Sequence, residues 1–433
     1  MTPMPRLYFD NAATSSPKPQ AVIDAMVDYA TRLGGSPGRG SYFEAREAAR
    51  LVRRCRERIN DLVNGEDPDH IIFTLNTSDA LNLAIRGVVL GVLESDPRAT
   101  AHIVTTELDH NSVLRPLNAL IERHPGRLAQ TRVPADPATG RVDPDDIRRA
   151  VGARSDTVLV ALNHASNVTG VIQPAAEVGA VCRAQGVLFL LDAAQSLGHL
   201  PVDVRALGAD LLAFPGHKGL LGPSGTGGLS IRPGVELRLA TVREGGTGSQ
   251  SDLDVQPETM PDKYEPGSVN AMGLIGLSEG VQFLNEFRFA GLVGIAALRA
   301  HEVALMHELL STLGFIPTPS PPGGGLGRGT PALARESGSI PGLTLHGPLD
   351  PSRRVGVFTF SIDGLDPHEA AAILESEFGV LARAGIHCAP LAHRALGSTG
   401  ALRLSLGPFL TVDDVRHAAG ALRELAASTR VYS

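Results

Sequence analysis

Short apolar runs separated by amphipathic stretches constrain this chain more than any other feature. His70–Thr74 (HIIFT), His102–Thr105, Thr157–Leu162 (TVLVAL), Val187–Leu191 (VLFLL), Leu211–Phe214 (LLAF) and Gly228–Ile231 read as strands. Between several of them, Asp79–Leu93, Ser112–Arg123 and Ala175–Gln185 repeat their apolar residues at helical spacing. Val and Leu runs without polar alternation suit strands covered on both faces, as in a mostly parallel sheet. Strand–helix alternation therefore predicts a doubly wound α/β architecture, with ligands at the carboxyl ends of its strands. A long helical region follows over Gly276–Gly314. Pro317–Pro341, containing PSPPGGGLGRGTP, reads as a flexible surface insertion with no catalytic part. The pattern then restarts with strand Val355–Ile362, helix Pro367–Phe378, strand Leu402–Leu406 and helix Val412–Ala426. This predicts an N-terminal segment 1–20, a large domain 21–290 and a small C-terminal α+β domain 291–433.

Composition excludes several classes. Lys plus Arg is 39 and Asp plus Glu is 46, a net charge of −7, which gives no global pull toward nucleic acid or anionic membrane. Mean hydropathy is +0.04, ordinary for a globular protein. No apolar run reaches the length of a transmembrane helix, and Met1–Asp10 lacks the basic-then-apolar pattern of a signal peptide. Three cysteines, Cys55, Cys182 and Cys388, make no disulfide framework, so a reduced, cytoplasmic protein is expected. Tryptophan is absent and aromatics are 4%, which leaves an aliphatic core.

The segment richest in chemistry is Asp210–Gly228 (DLLAFPGHKGLLGPSGTGG). A buried strand ends in Gly-His-Lys, and a Gly-rich loop built for close backbone approach follows. A lone lysine is ordinarily a solvated surface residue, and a lone strand-end Asp is ordinarily a helix N-cap. Here Lys218 is matched by Asp192, 26 positions upstream at the end of another apolar run (LLDAAQ). That pair is what pyridoxal 5'-phosphate requires: a lysine for the Schiff base, and a carboxylate to keep the pyridine nitrogen protonated.

FPGHK, LDAAQ and the opening YFDNAAT resemble class V aminotransferases of PLP fold type I, in particular cysteine desulfurases and selenocysteine lyases. LNTSDALN, ELDHNS, NHASNVTG, EGGTGS, YEPGSVN and RAGIHCAP extend the resemblance over nearly the whole chain, in the family's order. The resemblance implies that Lys218 forms the Schiff base, Asp192 meets the pyridine nitrogen, Gln195 donates to the ring hydroxyl, and His110 stacks on the ring and handles protons. Thr77, Ser78 and His217 would take the phosphate, partly at the positive end of the helix they open. Ser268 would reach the phosphate of a neighbouring subunit, which implies a homodimer. Arg403 would bind the substrate carboxylate through its planar fork. Asn167 would lie near the ring and substrate. Asn11, Ala12 and Ala13, in the N-terminal segment, would line the substrate pocket. His164 and Arg39 match further positions near the site, though HASN equally suits a structural turn.

Cys388 sets the implied reaction. Cys55 and Cys182 lie in helical stretches and read as small core residues. Cys388 lies in a Gly/Pro-containing loop beside His387, and Arg383 and His387 would favour its thiolate. In the family this cysteine takes the substrate sulfur as a persulfide and passes it to an acceptor protein. The compact RxGxHCA form is similar to the second group of desulfurases. His387, Cys388 and His393 lack a second pair at ligand spacing, so no metal is implied. Pro215 stands where most relatives place a phosphate-binding hydroxyl, and Ile386 where close relatives often have His. L-cysteine is the implied substrate; L-selenocysteine, a C–S β-lyase reaction and a non-catalytic binding role remain alternatives. A nucleotide-binding reading finds no GxGxxG or Walker sequence after the first strands.

Overall fold

The computed structural model describes residues 6–38, 40–136, 139–250, 252, 254–316, 336–337 and 340–428. Its larger sheet has seven strands: β1 (Ile71–Thr74), β2 (Ala101–Thr106), β3 (Leu128–Val133), β4 (Thr157–Asn163), β5 (Leu188–Asp192), β6 (Leu211–Pro215) and β7 (Gly227–Ile231), in the order β1-β7-β6-β5-β4-β2-β3. The run from β6 to β3 is parallel, while β7 is antiparallel to both β6 and β1. β2, β5 and β6 are buried at every position, which for β5 and β6 explains their apolar runs of Leu, Phe and Ala. Helices α1 (Gln20–Asp28), α2 (Phe43–Leu62), α3 (Thr77–Ser95), α4 (Asn111–Arg123), α5 (Pro144–Gly152), α6 (Ala175–Gln185) and α7 (Ala271–Glu286) cover the two faces. They close two aliphatic clusters, one centred on Phe189 and Phe214 and the other on Leu190 and Leu211.

After α7 a short hairpin pairs Arg288–Phe289 with Leu292–Val293, and α8 (Ile295–Thr312) follows. The long helical region expected over Gly276–Gly314 is two helices, α7 and α8. Ala290, Gly291 and Gly294 break it, each with positive φ. A second, antiparallel sheet contains β8 (Leu343–His346), β9 (Val357–Ile362), β10 (Arg383–Gly385) and β11 (Ala401–Ser405), in the order β8-β9-β11-β10, with Glu336–Ser337 pairing outside β8. Helices α9 (Pro367–Phe378), α10 (Pro390–Ala395) and α11 (Val412–Ser428) accompany it. The remainder of the insertion, residues 317–335, 338 and 339, lies outside the described residues, as does Arg39.

Several elements escaped the sequence pattern, β3, α5 and β8 among them. β3 (LAQTRV) buries only its end residues, so its apolar signal is weak. α5 carried its own start signal, Asp143 capping a helix that opens on Pro144. β8 lies just beyond the Gly/Pro-rich insertion. No described helix is long and apolar enough to cross a membrane.

Candidate active site

The carboxyl ends of β4, β5 and β6 open onto a cleft of about 230 Å³ lined by Thr77, Ser78, His110, Asn167, Asp192, Gln195, His217 and Lys218. Eight residues expected at a site thus meet in one place, where strand-end geometry predicts a ligand. Asp192 ends β5, directly beside Asn163 at the end of β4. Lys218 follows β6 by three residues. Glycines permit the approach of its loop: a side chain on Gly219 would stand 2.3 Å from the Leu197 carbonyl, and one on Gly198 would stand 2.3 Å from the Gly219 carbonyl. The loops after β5 and β6 consequently pack backbone on backbone.

Burial sets the charges. Asp192 is 5% exposed and its carboxyl is pushed upward by burial, against one hydrogen bond from Ala194 N at 2.9 Å and the attraction of Lys218. Burial lowers Lys218 to about 8, partly offset by Asp192. His110 caps α4, accepting from Ser112 N at its Nδ1 (3.1 Å), which leaves the ring proton on Nε2. Ser112 Oγ also lies 2.9 Å from that Nδ1 and 2.6 Å from Ser78 Oγ, a link the sequence reading missed. Burial, then the charges of Lys218, Arg115 and Arg383, push His110 down to about 4, so its ring is neutral. The loop carrying it is pinned by Asp109, fully buried, which accepts from Thr106 N (2.6 Å) and Asn163 N (3.1 Å). Burial also lowers His217 to about 4, and its Nδ1 is buried without a partner among the described residues.

The N-terminal segment is part of this construction. The His217 carbonyl accepts from Thr14 Oγ1 (3.0 Å), Ser15 N (3.0 Å) and Lys18 Nζ (2.9 Å). Gln195 Nε2 donates to Ala12 O at 2.9 Å, so its amide nitrogen holds the N-terminal segment. Asn11 is buried, donating to Tyr8 O and Ser405 O, and lines a small cavity bordered also by Lys218. Ala13 is half-buried in the same turn. His164 is buried beneath the cleft, its backbone N–H on Asp192 O (3.0 Å).

Arg403, on β11, is 1% exposed and far from a snorkelling edge residue. Its Nη1 donates to Asn167 O (3.1 Å) and its Nη2 meets Asp10 Oδ1 (2.6 Å). Arg383 pairs with it in register on β10, is half-buried, and has no ion-pair partner among the described residues. In the sequence Arg383 is notable only as a neighbour of Cys388. The strand register, invisible in sequence, makes it a second cation of the site.

Cys388 is exposed, while Cys55 and Cys182 are buried with thiols pushed up to about 12. Its carbonyl accepts from Asn111 N at 3.1 Å, immediately after His110. His387 was expected to support a thiolate by charge, but the structure gives it another part. It is 4% exposed, burial pushes it down to about 3, and its Nδ1 lies 3.1 Å from His393 Nε2. Ser268 is exposed and lies outside this cleft, lining a separate depression with Asp79 and Arg243.

Comparisons with known proteins bear on the family and the fold. A probable cysteine desulfurase of Methanothermobacter thermautotrophicus is 34% identical over 97% of this chain and 94% of its own length. A probable cysteine desulfurase of Pyrococcus abyssi is 33% identical over 98% of this chain and 95% of its own. The apo structure of the cysteine desulfurase from Thermococcus onnurineus NA1 superposes with a TM-score of 0.82 at 29% identity, covering 98% of this chain and 95% of that one. The aminotransferase class-V family model matches residues 7–320 and 332–417, and a chain matched over nearly its whole length, with its strand-end lysine and aspartate in one cleft, belongs to the class-V aminotransferase family.

Proposed function

We propose that the protein is a pyridoxal 5'-phosphate-dependent cysteine desulfurase that converts L-cysteine to L-alanine and carries the sulfur as a persulfide on Cys388. The observation that carries this reading is the exposed Cys388 thiol on a loop tied by Asn111 to the start of α4, one residue from His110 in the cleft of Lys218 and Asp192.

The donor set fits the cofactor. A buried amine, a buried carboxylate and a helix N-terminus with two hydroxyls suit an aldehyde, a pyridine nitrogen and a phosphate in turn. Lys218 would hold the aldehyde carbon, Asp192 the pyridine nitrogen, and Thr77, Ser78 and His217 the phosphate. His217 Nδ1, buried without a partner, is an orphan such a ligand would satisfy. Gln195 and Asn167 border the ring's place. When bound, the cofactor supplies an electron sink for the substrate's α-carbon.

The chain's own residues do the rest. Arg403 and Arg383 hold the substrate carboxylate, with Asn11 and Ala13 closing the pocket from the N-terminal side. Lys218, lowered to about 8, moves the α-proton at Nζ. His110 holds a proton at Nε2 for the reacting end of the substrate. Cys388 Sγ bonds to the substrate sulfur as the carbon–sulfur bond breaks, and alanine leaves. In this reading residues 21–290 form the cofactor-binding domain, 291–433 the domain that brings Cys388 and Arg403, and 1–20 the segment between them, supported by Asn11 bonding Ser405 O and Thr14 bonding His217 O. Ser268, exposed and outside its own cleft, serves the phosphate of the partner in a homodimer. Exposed Ile386 and Cys388 face a sulfur-acceptor protein. Three free cysteines fit a reducing cytoplasm.

The test is a product assay on L-cysteine with reductant, comparing wild type with Cys388→Ala. Alanine and sulfide from the wild type alone support the persulfide route. Pyruvate from both proteins shows a β-lyase, and turnover restricted to L-selenocysteine shows a selenocysteine lyase.

A further inference from the structure

His387 and Cys388 both have left-handed backbones, with φ of 51° and 57°. L-residues with side chains adopt that conformation only where their surroundings enforce it. The turn is closed by its own backbone bond, Ala389 N to Ile386 O at 3.0 Å, and two groups hold it from outside. The Cys388 carbonyl accepts from Asn111 N at 3.1 Å. The His387 carbonyl accepts from the side-chain amide of Asn167 at 2.7 Å. Asn167 is itself held on several sides. It is 7% exposed, and its own carbonyl and the next two are held in turn by Arg403 Nη1 and Thr359 Oγ1 from the second sheet and by Arg354 Nη2 from the segment just before β9. Its amide nitrogen is thus committed to the cysteine loop, while its Oδ1 is buried without a partner among the described residues.

We propose that Asn167 is the positioning residue of the Cys388 thiol: its amide holds the His387 carbonyl and so fixes the left-handed turn that presents the sulfur. The proposal deepens the reading of Cys388 as the sulfur nucleophile and rests on it for its functional consequence. Asn167 spans two tasks, bordering the cofactor cleft with one face and holding the cysteine loop with the other. Its backbone bond to Arg403 ties the same residue to the carboxylate-binding arginine. One residue, through its backbone on one side and its side chain on the other, therefore links the place where the substrate is held to the place where its sulfur goes.

The experiment compares Asn167→Ala and Asn167→Asp with wild type. Asp keeps the shape and loses the donor, so a positioning role predicts that both variants behave alike. Hydrogen exchange of the apo chain at residues 386–389 should quicken about fivefold or more in both, as expected for loss of one buried hydrogen bond, with exchange in β4–β6 unchanged as the control for folding. In the loaded enzyme, kcat for alanine should fall about tenfold, with KM for L-cysteine and affinity for pyridoxal phosphate nearly unchanged, the split expected when ground-state binding is retained. Unchanged exchange at 386–389 overturns the proposal, and so does Asn167→Asp behaving as wild type. Weakened cofactor binding with an unaltered loop also overturns it, in favour of a cofactor contact. Should wild type form no alanine, the desulfurase reading fails, while the exchange result still decides the part played by Asn167.

Discussion

The guanidinium of Arg403 stands 2.6 Å from the carboxylate of Asp10, joining the N-terminal segment to the last strand of the second sheet. The arginine that resemblance assigned to the substrate carboxylate already has a carboxylate of its own. Its neighbour Arg383, in register on the adjacent strand, has none among the described residues. The two cations of the site therefore meet an incoming carboxylate differently: Arg403 is already anchored by an internal anion, and Arg383 is not.

This difference separates two substitutions. Asp10→Ala leaves a guanidinium buried without its counter-charge, and is expected to lower unfolding free energy by about 3 kcal/mol in urea titration. Arg383→Ala is expected to change stability by no more than about 0.5 kcal/mol. It should nevertheless raise KM for L-cysteine about tenfold, as expected for loss of one charge-assisted contact.

Lys218 sets a pH dependence. Burial lowers it from 10.5 to about 8, so its neutral amine is available above pH 8. Uptake of added pyridoxal phosphate by the apo chain should accelerate through pH 8 and level off well below 10.5, as read by absorbance. Between those two values the unfolded chain binds the extra proton, so this group's contribution to stability rises with pH across that window. A comparison of unfolding free energies with Lys218→Met over the same range checks the sign.

Thiol counting is direct. Cys55 and Cys182 are 0% and 1% exposed with thiols pushed up to about 12, whereas Cys388 is exposed. One thiol of the native chain should react with a disulfide reagent at pH 8 and all three after denaturation. Cys388→Ser should leave none reactive in the native chain.

His110 is neutral down to about pH 4, so the pH profile of kcat should show no inflection from it near the ordinary histidine value of 6.5. Ser112→Ala removes a hydroxyl from its Nδ1 but keeps the backbone N–H that fixes the tautomer. The expected result is a fall in kcat of about fivefold, one neutral hydrogen bond's worth, with the profile unmoved.

Glu265 anchors the loop that bears Ser268. Its carboxylate takes Arg56 in two bonds, 2.8 and 2.9 Å, and accepts from Phe73 N at 2.6 Å. Glu265→Ala should cost about 3 kcal/mol, because it leaves Arg56 buried and unpaired. Ser268→Ala should leave unfolding unchanged and weaken cofactor binding about tenfold, if this hydroxyl gives one charge-assisted bond to a phosphate. Equal cofactor affinity in wild type and Ser268→Ala would remove Ser268 from the site.

Much of the site was legible because strand ends are local. Asp192 and Lys218 each stand where an unbroken apolar run meets a polar or glycine-rich turn, and such a junction shows in a window of ten residues. The helix starts at Thr77 and Asn111 were legible for the same reason. The division of Gly276–Gly314 into two helices was not legible because its apolar spacing continues across residues 287–294. The break depends on three positive φ angles, and nothing in helical periodicity reports them.

The sequence by itself determined the parallel apolar sheet, the lysine and carboxylate at its strand ends, and a lone cysteine outside the core helices, since each follows from neighbours along the chain. Only the tertiary structure decided that Arg403 answers Asp10, that Arg383 lies beside Arg403, that Ser112 fixes the proton of His110, and that Asn167 holds His387. Three of these four join residues 20 or more apart, through sheet register and side-chain hydrogen bonds. The fourth spans only two residues but depends on a rotamer. Packing selects both kinds of contact, and the order of residues along the chain does not encode them locally.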